Sequence, residues 1–292
     1  MIGGLMSRSR NEEDMIYREA LQMGEQRLIQ AGIAEGRNDA WLLLGMVCRM
    51  ERSFYFLHME EEMPEEELKE YEIALNKRAE RVPLQYIVGE TEFMGLKFKV
   101  NSGVLIPRQD TETLVEEALK IVRPGMRVLD LCTGSGCIIV SILHNTVDVE
   151  GCAVDISKQA LNVAKENARM NDTAVLFERS DLFDNVTGRF DLIVSNPPYI
   201  PTGELVGLMP EVRDFEPPEA LDGKEDGLYF YRRIVAECSA YLKPGGWLLL
   251  EIGYDQGESV RALMEDAGFS GVRVVKDLAH NNRVVLGMLG AE

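Results

Sequence analysis

The chain has 292 residues, of which 46% are hydrophobic and 27% are charged. This composition is ordinary for a folded protein, so it excludes a disordered, collagen-like or disulfide-stabilised chain. The 31 Lys and Arg residues are outnumbered by 49 Asp and Glu residues, which gives a formal net charge of −18. Such a surface repels nucleic-acid backbones, and it fits either a partner with a basic surface or a plain requirement for solubility.

The length and the cysteines predict a reduced, cytoplasmic protein of two domains. At about 100–200 residues per domain, two domains are expected. The five cysteines form no C-x-x-C pair, which argues against a disulfide framework and against a metal site. Residues 1–20 contain acidic side chains and no apolar secretion segment, and no apolar run reaches the ~18 residues that a membrane span needs. We therefore expect no membrane association.

Residues 12–81 follow a helical spacing and predict a small helical domain over residues 1–82. Asn38 and Asp39 are a predicted N-cap for a helix that starts at Ala40, and Pro64 is placed to start another helix. The segment at residues 59–72 is strongly acidic, which indicates either a solvated helix face or a docking surface. Its eight glutamates are Glu60, Glu61, Glu62, Glu65, Glu66, Glu67, Glu70 and Glu72.

Residues 83–107 lose the helical spacing and predict a β-hairpin linker. Two runs of strand-forming residues, at 86–88 and 96–100, are separated by glycines. After Thr111 strands alternate with helices, which is typical of a doubly wound α/β sheet. The predicted strands are residues 127–131, 152–155, 175–179, 190–195, 246–252, 272–276 and 283–289, and the predicted helices are residues 111–121, 137–143, 158–170, 228–241 and 256–267.

The connection between the last two predicted strands is too short for a parallel crossover, so these strands should pair antiparallel. The predicted fold class is therefore α/β, with a seven-stranded sheet whose last strand is antiparallel. This reversed strand distinguishes the sheet from a plain dinucleotide-binding fold.

The first predicted strand of the sheet runs into a glycine turn that is typical of a nucleotide site. Gly134 and Gly136 leave the backbone open to a ligand, and Asp155 follows Gly134 by 21 residues at the end of the next strand. A carboxylate there can bind both hydroxyls of an adenosine ribose, which NAD would satisfy. However, Ile139 replaces the third glycine of G-x-G-x-x-G, which favours a nucleoside without pyrophosphate.

This layout resembles the Rossmann-like S-adenosylmethionine-dependent methyltransferases, over a domain of residues 108–292. The resemblance implies that Asp130 and the loop formed by Thr133, Gly134, Ser135 and Gly136 hold the methionine portion of the cofactor, and that Asp155 holds the ribose. Asp181 would lie near the adenine amino group and Leu182 against the ring. Cys132 stands where glycine is usual, which makes its thiol a candidate cofactor contact.

Each of these acids also has a structural interpretation. Asp130 could cap the loop, Asp155 could be the N-cap of the following helix, and Asp181 could be a turn residue. Their placement at successive strand ends, where open α/β sheets bind ligands, favours the site.

The motif Asn196-Pro197-Pro198-Tyr199 follows the fourth predicted strand of the sheet. Two prolines in series fix the backbone and direct the carbonyls of Asn196 and Pro197 rigidly outward. With the Asn196 side-chain oxygen, these acceptors can hold a planar NH2 group in line with a methyl donor, while Tyr199 packs on the group. The structural alternative is a rigid turn after a strand.

The motif occurs in methyltransferases of adenine N6, guanine N2 and glutamine amides, so the flanking sequence must decide. In order along the chain, that flanking sequence resembles the peptide chain release factor glutamine N5-methyltransferases. The segments that carry the resemblance are residues 83–87, 89–90, 93–96, 106–112, 196–201, 216–217, 220–221, 227–228, 277–279 and 283–285. Departures are Gln109-Asp110, where the family tends to have proline and glutamate, and His280, where glycine is common.

The resemblance implies N5-methylation of the glutamine in the Gly-Gly-Gln motif of a release factor, with Arg108 and Glu112 positioning the substrate at the pocket edge. Their structural alternative is an ion pair. Residues 201–226 would cover the substrate as a lid. The alternatives are glutamine methylation of a ribosomal protein, an adenine-N6 nucleic-acid methyltransferase, and a noncatalytic binding module. The acidic surface argues against direct contact with nucleic acid, and a monomer is expected.

Overall fold

The computed structural model describes residues 15–290, so the predicted start of the helical pattern at residue 12 lies outside the described residues. The chain divides into two compact units, Met1–Val88 and Gly89–Glu292. No helix within the described part of the chain is both long enough and apolar enough to cross a membrane.

The described part of the first unit is helical, as predicted. A single core cluster holds it together, and Leu28, Leu43, Tyr71 and Leu75 have no exposed side-chain surface there. Pro64 is the N-cap of the fourth helix, in agreement with its predicted place at a helix start. The helices are α1 (Tyr17–Gln30), α2 (Gly36–Cys48), α3 (Arg52–His58), α4 (Glu65–Ala79) and α5 (Leu84–Val88).

The predicted N-cap at Asn38-Asp39 is wrong. Helix α2 begins at Gly36, four residues before the predicted start at Ala40, and Asp39 lies inside its first turn. The Asp39 carboxylate is buried and accepts a hydrogen bond of 2.8 Å from Nε of Arg78 on α4. An acidic residue that usually caps a helix therefore clamps two helices together, because a buried cation across the interface is a stronger partner than a backbone N–H.

The predicted strand run at residues 86–88 is also wrong. These residues belong to α5, where Leu84, Ile87 and Val88 pack against the helical core. Burial on one face of a helical turn after Pro83 outweighs their preference for strands. The hairpin itself is present a few residues later, formed by antiparallel β1 (Glu90–Phe93) and β2 (Leu96–Lys99).

The second unit contains a seven-stranded sheet in the order β5-β4-β3-β6-β7-β9-β8. Strands β3 to β7 run parallel in that order, and β9 is antiparallel to both β7 and β8, which confirms the predicted reversal. The strands are β3 (Arg127–Leu131), β4 (Glu150–Asp155), β5 (Val175–Arg179), β6 (Phe190–Ser195), β7 (Leu242–Glu251), β8 (Phe269–Lys276) and β9 (Asn282–Leu289).

Strand β7 begins earlier than the predicted residue 246. Leu242 pairs with Phe190, and a register shift after Phe190 absorbs the Pro-Gly-Gly segment that the sequence pattern treats as a break. The predicted helix at residues 228–241 is divided into an α-helix and a 3-10 turn at Cys238–Ala240. The helices of this unit are α6 (Glu112–Ile121), α7 (Cys137–His144), α8 (Lys158–Met170), α9 (Pro210–Arg213), α10 (Tyr229–Glu237) and α11 (Gly257–Asp266).

Both faces of the sheet are covered. Along β6, Leu192 and Val194 belong to one hydrophobic cluster and Ile193 to the other, as expected for side chains that alternate across a sheet. Strands β4 and β5 lie on one side of β3 in the sheet, and the chain then returns from β5 to place β6 on the other side of β3. Open α/β sheets bind ligands at such a switch point, beyond the carboxyl ends of the strands.

Candidate active site

A cavity of about 350 Å³ lies at the carboxyl ends of β3, β4 and β6. Its lining includes three residues of the glycine loop after β3, Asp155 after β4, and Asn196 and Pro198 after β6, whereas Gly136 of that loop is not part of the lining. The glycine loop and the Asn-Pro-Pro-Tyr motif, which are distant in sequence, therefore open into one space. The other predicted site residues in the lining are Arg108, Cys132, Thr133, Gly134, Ser135, Asp181 and Leu182.

The glycine loop is held in a left-handed conformation. Gly134 has φ of 54°, and a Cβ atom built there would meet no atom within 4 Å, so the loop leaves open space above its backbone. Gly136 has φ of 80°, and its Cβ would approach Ala164 Cβ to 3.0 Å. Cys132 has φ of 57°, which explains the usual glycine at its position, because a non-glycine residue there is strained.

Asp130 lies behind the lining rather than in it. Its side chain is fully buried, and its Oδ2 accepts a 2.6 Å hydrogen bond from the hydroxyl of Thr133, which does line the cavity. The other oxygen, Oδ1, has no hydrogen-bond partner among the described residues. Burial raises the pKa of Asp130 to about 7, although the hydrogen bond from Thr133 acts in the opposite direction. Asp130 therefore stabilises the glycine loop through its hydrogen bond with Thr133.

Asp155 joins the loop to the next helix. Its Oδ2 accepts a 2.9 Å hydrogen bond from the Gly134 N–H, and its Oδ1 accepts one of the same length from the Ser157 N–H. Burial raises the pKa of Asp155, and these two N–H groups oppose that shift. The N-cap of α8 is Ser157, which accepts from the Ala160 N–H, so the capping alternative for Asp155 is wrong. Its remaining lone pairs stay available to hydroxyls of a ligand.

The carboxyl end of β5 supplies Asp181 and Leu182. Asp181 accepts a 2.9 Å hydrogen bond from Nη1 of Arg233, and both side chains line the cavity. Leu182 is almost fully buried and has φ of 48°. Arg233 also lies over the ring of Tyr229, so this wall combines a charged pair with apolar and aromatic surface. Such a wall suits a planar base with a polar edge.

Of the four residues of the Asn-Pro-Pro-Tyr motif, some line the cavity and others pack into the core. Asn196 and Pro198 line the cavity, whereas Pro197 is buried and Tyr199 packs against a hydrophobic core cluster. The carbonyl oxygen of Tyr199 accepts a 2.9 Å hydrogen bond from Nε2 of Gln256, which fixes the end of the motif. Burial raises the pKa of Tyr199 to about 12, so its hydroxyl stays neutral at physiological pH.

Arg108 and Glu112 do not pair with each other. Arg108 lines the cavity and forms an ion pair with Glu216, whose side chain is buried. Glu112 is outside the lining formed by the described residues, and its carboxylate accepts a 2.7 Å hydrogen bond from the Met94 N–H in the hairpin turn. The structure thus gives Glu112 a structural contact, and only Arg108 lies where a substrate could reach it.

The segment at residues 201–226 forms part of the cavity wall. It contains two short 3-10 turns around α9, and Pro217, Glu219, Ala220 and Lys224 line the cavity. That this segment covers a bound substrate as a lid stays a prediction.

Two polar residues beside Asn196 were not predicted from the sequence. Thr111 lines the cavity, and Nδ2 of Asn196 donates to its Oγ1 at 3.4 Å. Glu251, at the end of β7, is 1% exposed. The sequence signal for Glu251 is a charged residue directly after the apolar run Leu248, Leu249 and Leu250. That position is the carboxyl end of a predicted strand, where open α/β sheets bind ligands.

The residues present fit S-adenosylmethionine, the cofactor that the sequence resemblance implies. The open backbone at Gly134 leaves room for a ligand chain, and Asp155 has free acceptor capacity for the ribose hydroxyls. The wall at Asp181 and Leu182 offers polar and apolar contact to adenine. The cavity volume is also within the usual range of small-molecule sites.

Two family models match this chain. The model described as the PrmC N-terminal domain matches residues 19–89, and the methyltransferase small domain matches residues 108–206. The first match covers most of the first unit, and the second covers about half of the second unit.

Relatives of known name match the chain over most of its length. A release factor glutamine methyltransferase from Geobacter sulfurreducens is 40% identical over 274 residues, which cover 94% of this chain and 96% of the relative. One from Cereibacter sphaeroides is 44% identical over 275 residues, which cover 94% of this chain and 98% of the relative. A methyltransferase crystal structure from Pyrococcus furiosus, at 18% identity and a TM-score of 0.52, covers 67% of this chain and 90% of its own, and it agrees in fold.

Proposed function

This chain belongs to the release factor glutamine methyltransferase family, and from that premise we propose its reaction. The enzyme transfers the methyl group of S-adenosylmethionine to the side-chain amide nitrogen, N5, of a glutamine in a peptide chain release factor. The glutamine is the one in the Gly-Gly-Gln motif of the factor.

One observation carries the proposal: Asn196 lines the same cavity as the glycine loop and Asp155. A cofactor held by the loop and an amide held by Asn196 would therefore meet in one space. A methyl transfer needs alignment of the two groups and exclusion of water, and the walls of this cavity would contribute to both.

The residues of the loop and the strand ends hold the cofactor. Gly134 and Ser135 would lie against the methionine portion, Asp155 would accept from the ribose hydroxyls, and Asp181 would face the adenine edge. When bound, S-adenosylmethionine supplies an electrophilic methyl group on a positively charged sulfur that leaves as a neutral thioether. Asp130 supports this arrangement from behind by holding Thr133 in place.

The acceptor motif holds the substrate amide. The side-chain oxygen of Asn196 and the carbonyl oxygen of Pro197 accept its two N–H groups, which orients the nitrogen toward the methyl donor. The nitrogen of an amide is a weak nucleophile, so orientation and desolvation supply the acceleration, and the surplus proton leaves as the new bond forms. Arg108 contacts the substrate at the rim of the cavity.

The net charge and the family together support a release factor as the partner. A protein substrate suits a surface of net charge −18, whereas direct binding to nucleic acid does not. We propose that the enzyme acts as a monomer in the cytoplasm, where release factors function. The acidic segment at residues 60–72 is a proposed docking surface on the helical unit.

The test compares Asn196→Ala with the control Asn145→Ala, which removes an exposed asparagine from the same unit. We expect Asn196→Ala to lose about 100-fold or more in kcat/KM, because a misplaced acceptor nitrogen costs at least that much. Asn196 is also a predicted contact of the cofactor, but the glycine loop and Asp155 are expected to supply most of the binding. Affinity for S-adenosylmethionine, measured by calorimetry, should therefore stay within about threefold in both variants. Full activity of Asn196→Ala would refute the mechanism.

The substrate class is tested with labelled cofactor and three separate acceptors: a release factor, a ribosomal protein and DNA. We expect label on the release factor alone, at the glutamine of its Gly-Gly-Gln motif as located by mass spectrometry. Label confined to the ribosomal protein or to DNA would replace the proposed substrate, and failure to bind the cofactor would support a noncatalytic module.

A further inference from the structure

A buried carboxylate lies next to the acceptor asparagine. Glu251 ends the apolar strand β7, its side chain is 1% exposed, and its Oε2 has no hydrogen-bond partner among the described residues. A charged group in such a place is costly unless neighbouring groups stabilise it. Asn196 and Thr111 both interact with this carboxyl group through their side chains, and both favour its ionised form.

Thr111 connects the same two residues. It occupies the N-cap position of α6, but its side chain makes no capping bond. Its hydroxyl instead accepts from Nδ2 of Asn196 at 3.4 Å, in a position that is 2% exposed. A hydroxyl that accepts one hydrogen bond can still donate its own proton, and the ionised carboxylate of Glu251 is an acceptor only.

The proposed reaction requires one particular orientation of the Asn196 carboxamide. The oxygen and the nitrogen of an asparagine side chain have nearly the same shape, and only the hydrogen-bond network distinguishes the two flipped states. A substrate NH2 group carries donors, so it needs the oxygen of Asn196. In the flipped state two NH2 groups would face each other, and the substrate would be repelled.

We propose that Glu251 is a positioning residue that acts with Thr111 to fix the Asn196 carboxamide with its nitrogen inward and its oxygen toward the cavity. An acceptor-only carboxylate obliges both Thr111 and Asn196 to donate toward it, which sets the direction of the whole network. The inference rests on the proposed function for the role of Asn196, and it adds a residue that fixes the orientation of that side chain.

The ionisation of Glu251 should therefore control the reaction. Burial raises the pKa of Glu251 to about 7, while Thr111, Arg283 and Asn196 lower it. A protonated carboxyl group can itself donate a hydrogen bond, so below that pH the network no longer forces the orientation of Asn196. The other charged and titratable groups that face it are Asp110 before α6, Cys137 on α7, Tyr199 after β6 and Tyr231 on α10.

The first test measures kcat/KM for the release factor against pH in the wild type, Glu251→Gln and the control Glu117→Gln. Glu117 is another buried glutamate of the same unit, paired with Lys120 and Arg273. We expect wild type and Glu117→Gln to lose activity as the pH falls below about 7. Glu251→Gln, whose amide can both donate and accept, should be at least about tenfold slower and should lack that acidic limb. A Glu251→Gln enzyme with the wild-type rate and the wild-type limb would overturn the proposal.

The second test uses Thr111→Val and Thr111→Ser. Valine keeps the shape of the side chain without a hydroxyl, so it should lower kcat/KM by about tenfold or more. Serine restores the hydroxyl and should recover most of that loss. Equal activity of the two variants would contradict a role for the hydroxyl. Binding of S-adenosylmethionine within about threefold of wild type shows that each variant is folded.

A third measurement separates this inference from the proposed function. In protein labelled with 15N at asparagine side chains, the Asn196 resonance is assigned by its loss in Asn196→Ala. We expect it to shift with the titration of Glu251 in wild type and to be independent of pH in Glu251→Gln. This result would support the hydrogen-bond network of Glu251, Thr111 and Asn196 even if no release factor were methylated. An Asn196 resonance that does not change with pH in wild type would refute the network.

Discussion

Asp155 shows how one carboxylate can hold the backbone of two segments and still line a cavity. It fixes the glycine loop through the Gly134 N–H and the start of α8 through the Ser157 N–H, and it still faces the cavity. The spacing from Gly134 in the sequence predicted the carboxylate at the strand end. It could not predict that the same group holds the loop, because that contact depends on the register between β3 and β4.

We expect Asp155→Ala to lower the affinity for S-adenosylmethionine by about tenfold or more, since two backbone N–H groups and the ribose lose their acceptor together. Asp155→Asn keeps one acceptor oxygen and should lose less. Isothermal calorimetry of both variants checks the order, and an unchanged affinity in Asp155→Ala would exclude the ribose role.

The raised pKa of Asp130 predicts how stability depends on pH. Its value of about 7 in the folded protein lies above the ordinary aspartate value of ~3.9, so between these pH values the folded state binds more protons than the unfolded state. The free energy of unfolding of the cofactor-free protein should therefore fall as pH rises from about 4 to about 7. Glu251 contributes with the same sign.

Asp130→Asn should remove the Asp130 contribution, because an amide does not titrate. We expect the variant to match wild type near pH 4 and to be the more stable protein at pH 8. Urea unfolding in a Trp41→Phe background lets Trp247 report on the sheet alone. A variant whose stability falls with pH as steeply as wild type would contradict the assignment.

At the scale of elements, the helical unit depends on a polar clamp inside an apolar core. Asp39 on α2 and Arg78 on α4 pair at 2.8 Å, and both side chains are buried. Arg78 also donates to the carbonyl oxygen of Val82 at 3.3 Å, which fixes the chain after α4. The helices were predictable from their periodicity. The pair was not, because periodicity shows which face is buried and not which partner meets it.

We expect Asp39→Ala to lower the free energy of unfolding of the helical unit by about 3–5 kcal/mol, because it removes the carboxylate that pairs with the buried Arg78 guanidinium. The double variant Asp39→Leu with Arg78→Met should recover most of that loss, since it removes both charges. Denaturation in a Trp247→Phe background, followed through Trp41, measures both. Equal losses in the single and double variants would contradict the account.

At the scale of the whole molecule, the acidic charge is concentrated where a partner could use it. Six of the eight glutamates at residues 60–72 are exposed, and two of these, Glu60 and Glu65, form ion pairs with Arg18 and Lys69. A solvated helix face and a docking surface have the same appearance in the free protein. Only their response to a basic partner and to salt distinguishes them.

We expect the triple variant Glu62→Lys, Glu66→Lys and Glu70→Lys to weaken kcat/KM for a release factor at low salt by about tenfold, and to approach wild type at high salt. The control variant, Glu116→Lys, Glu178→Lys and Asp266→Lys, makes the same change of net charge at exposed positions of the other unit. Equal effects of the two variants would indicate general charge and would exclude a docking surface.

The sequence by itself determined the alternation of strands and helices, the reversed last strand, the glycine loop and the Asn-Pro-Pro-Tyr motif. These features are local in the chain, because periodicity, turn chemistry and connection length need no distant partner. The tertiary structure decided that residues 86–88 are helical, that Asp39 binds Arg78, that Glu112 holds the hairpin, and that Glu251 lies beside Asn196. Each of these features depends on contacts or burial between residues that are distant in sequence. Where such contacts stabilise the chain more strongly than the local conformational preference does, the contacts determine the structure.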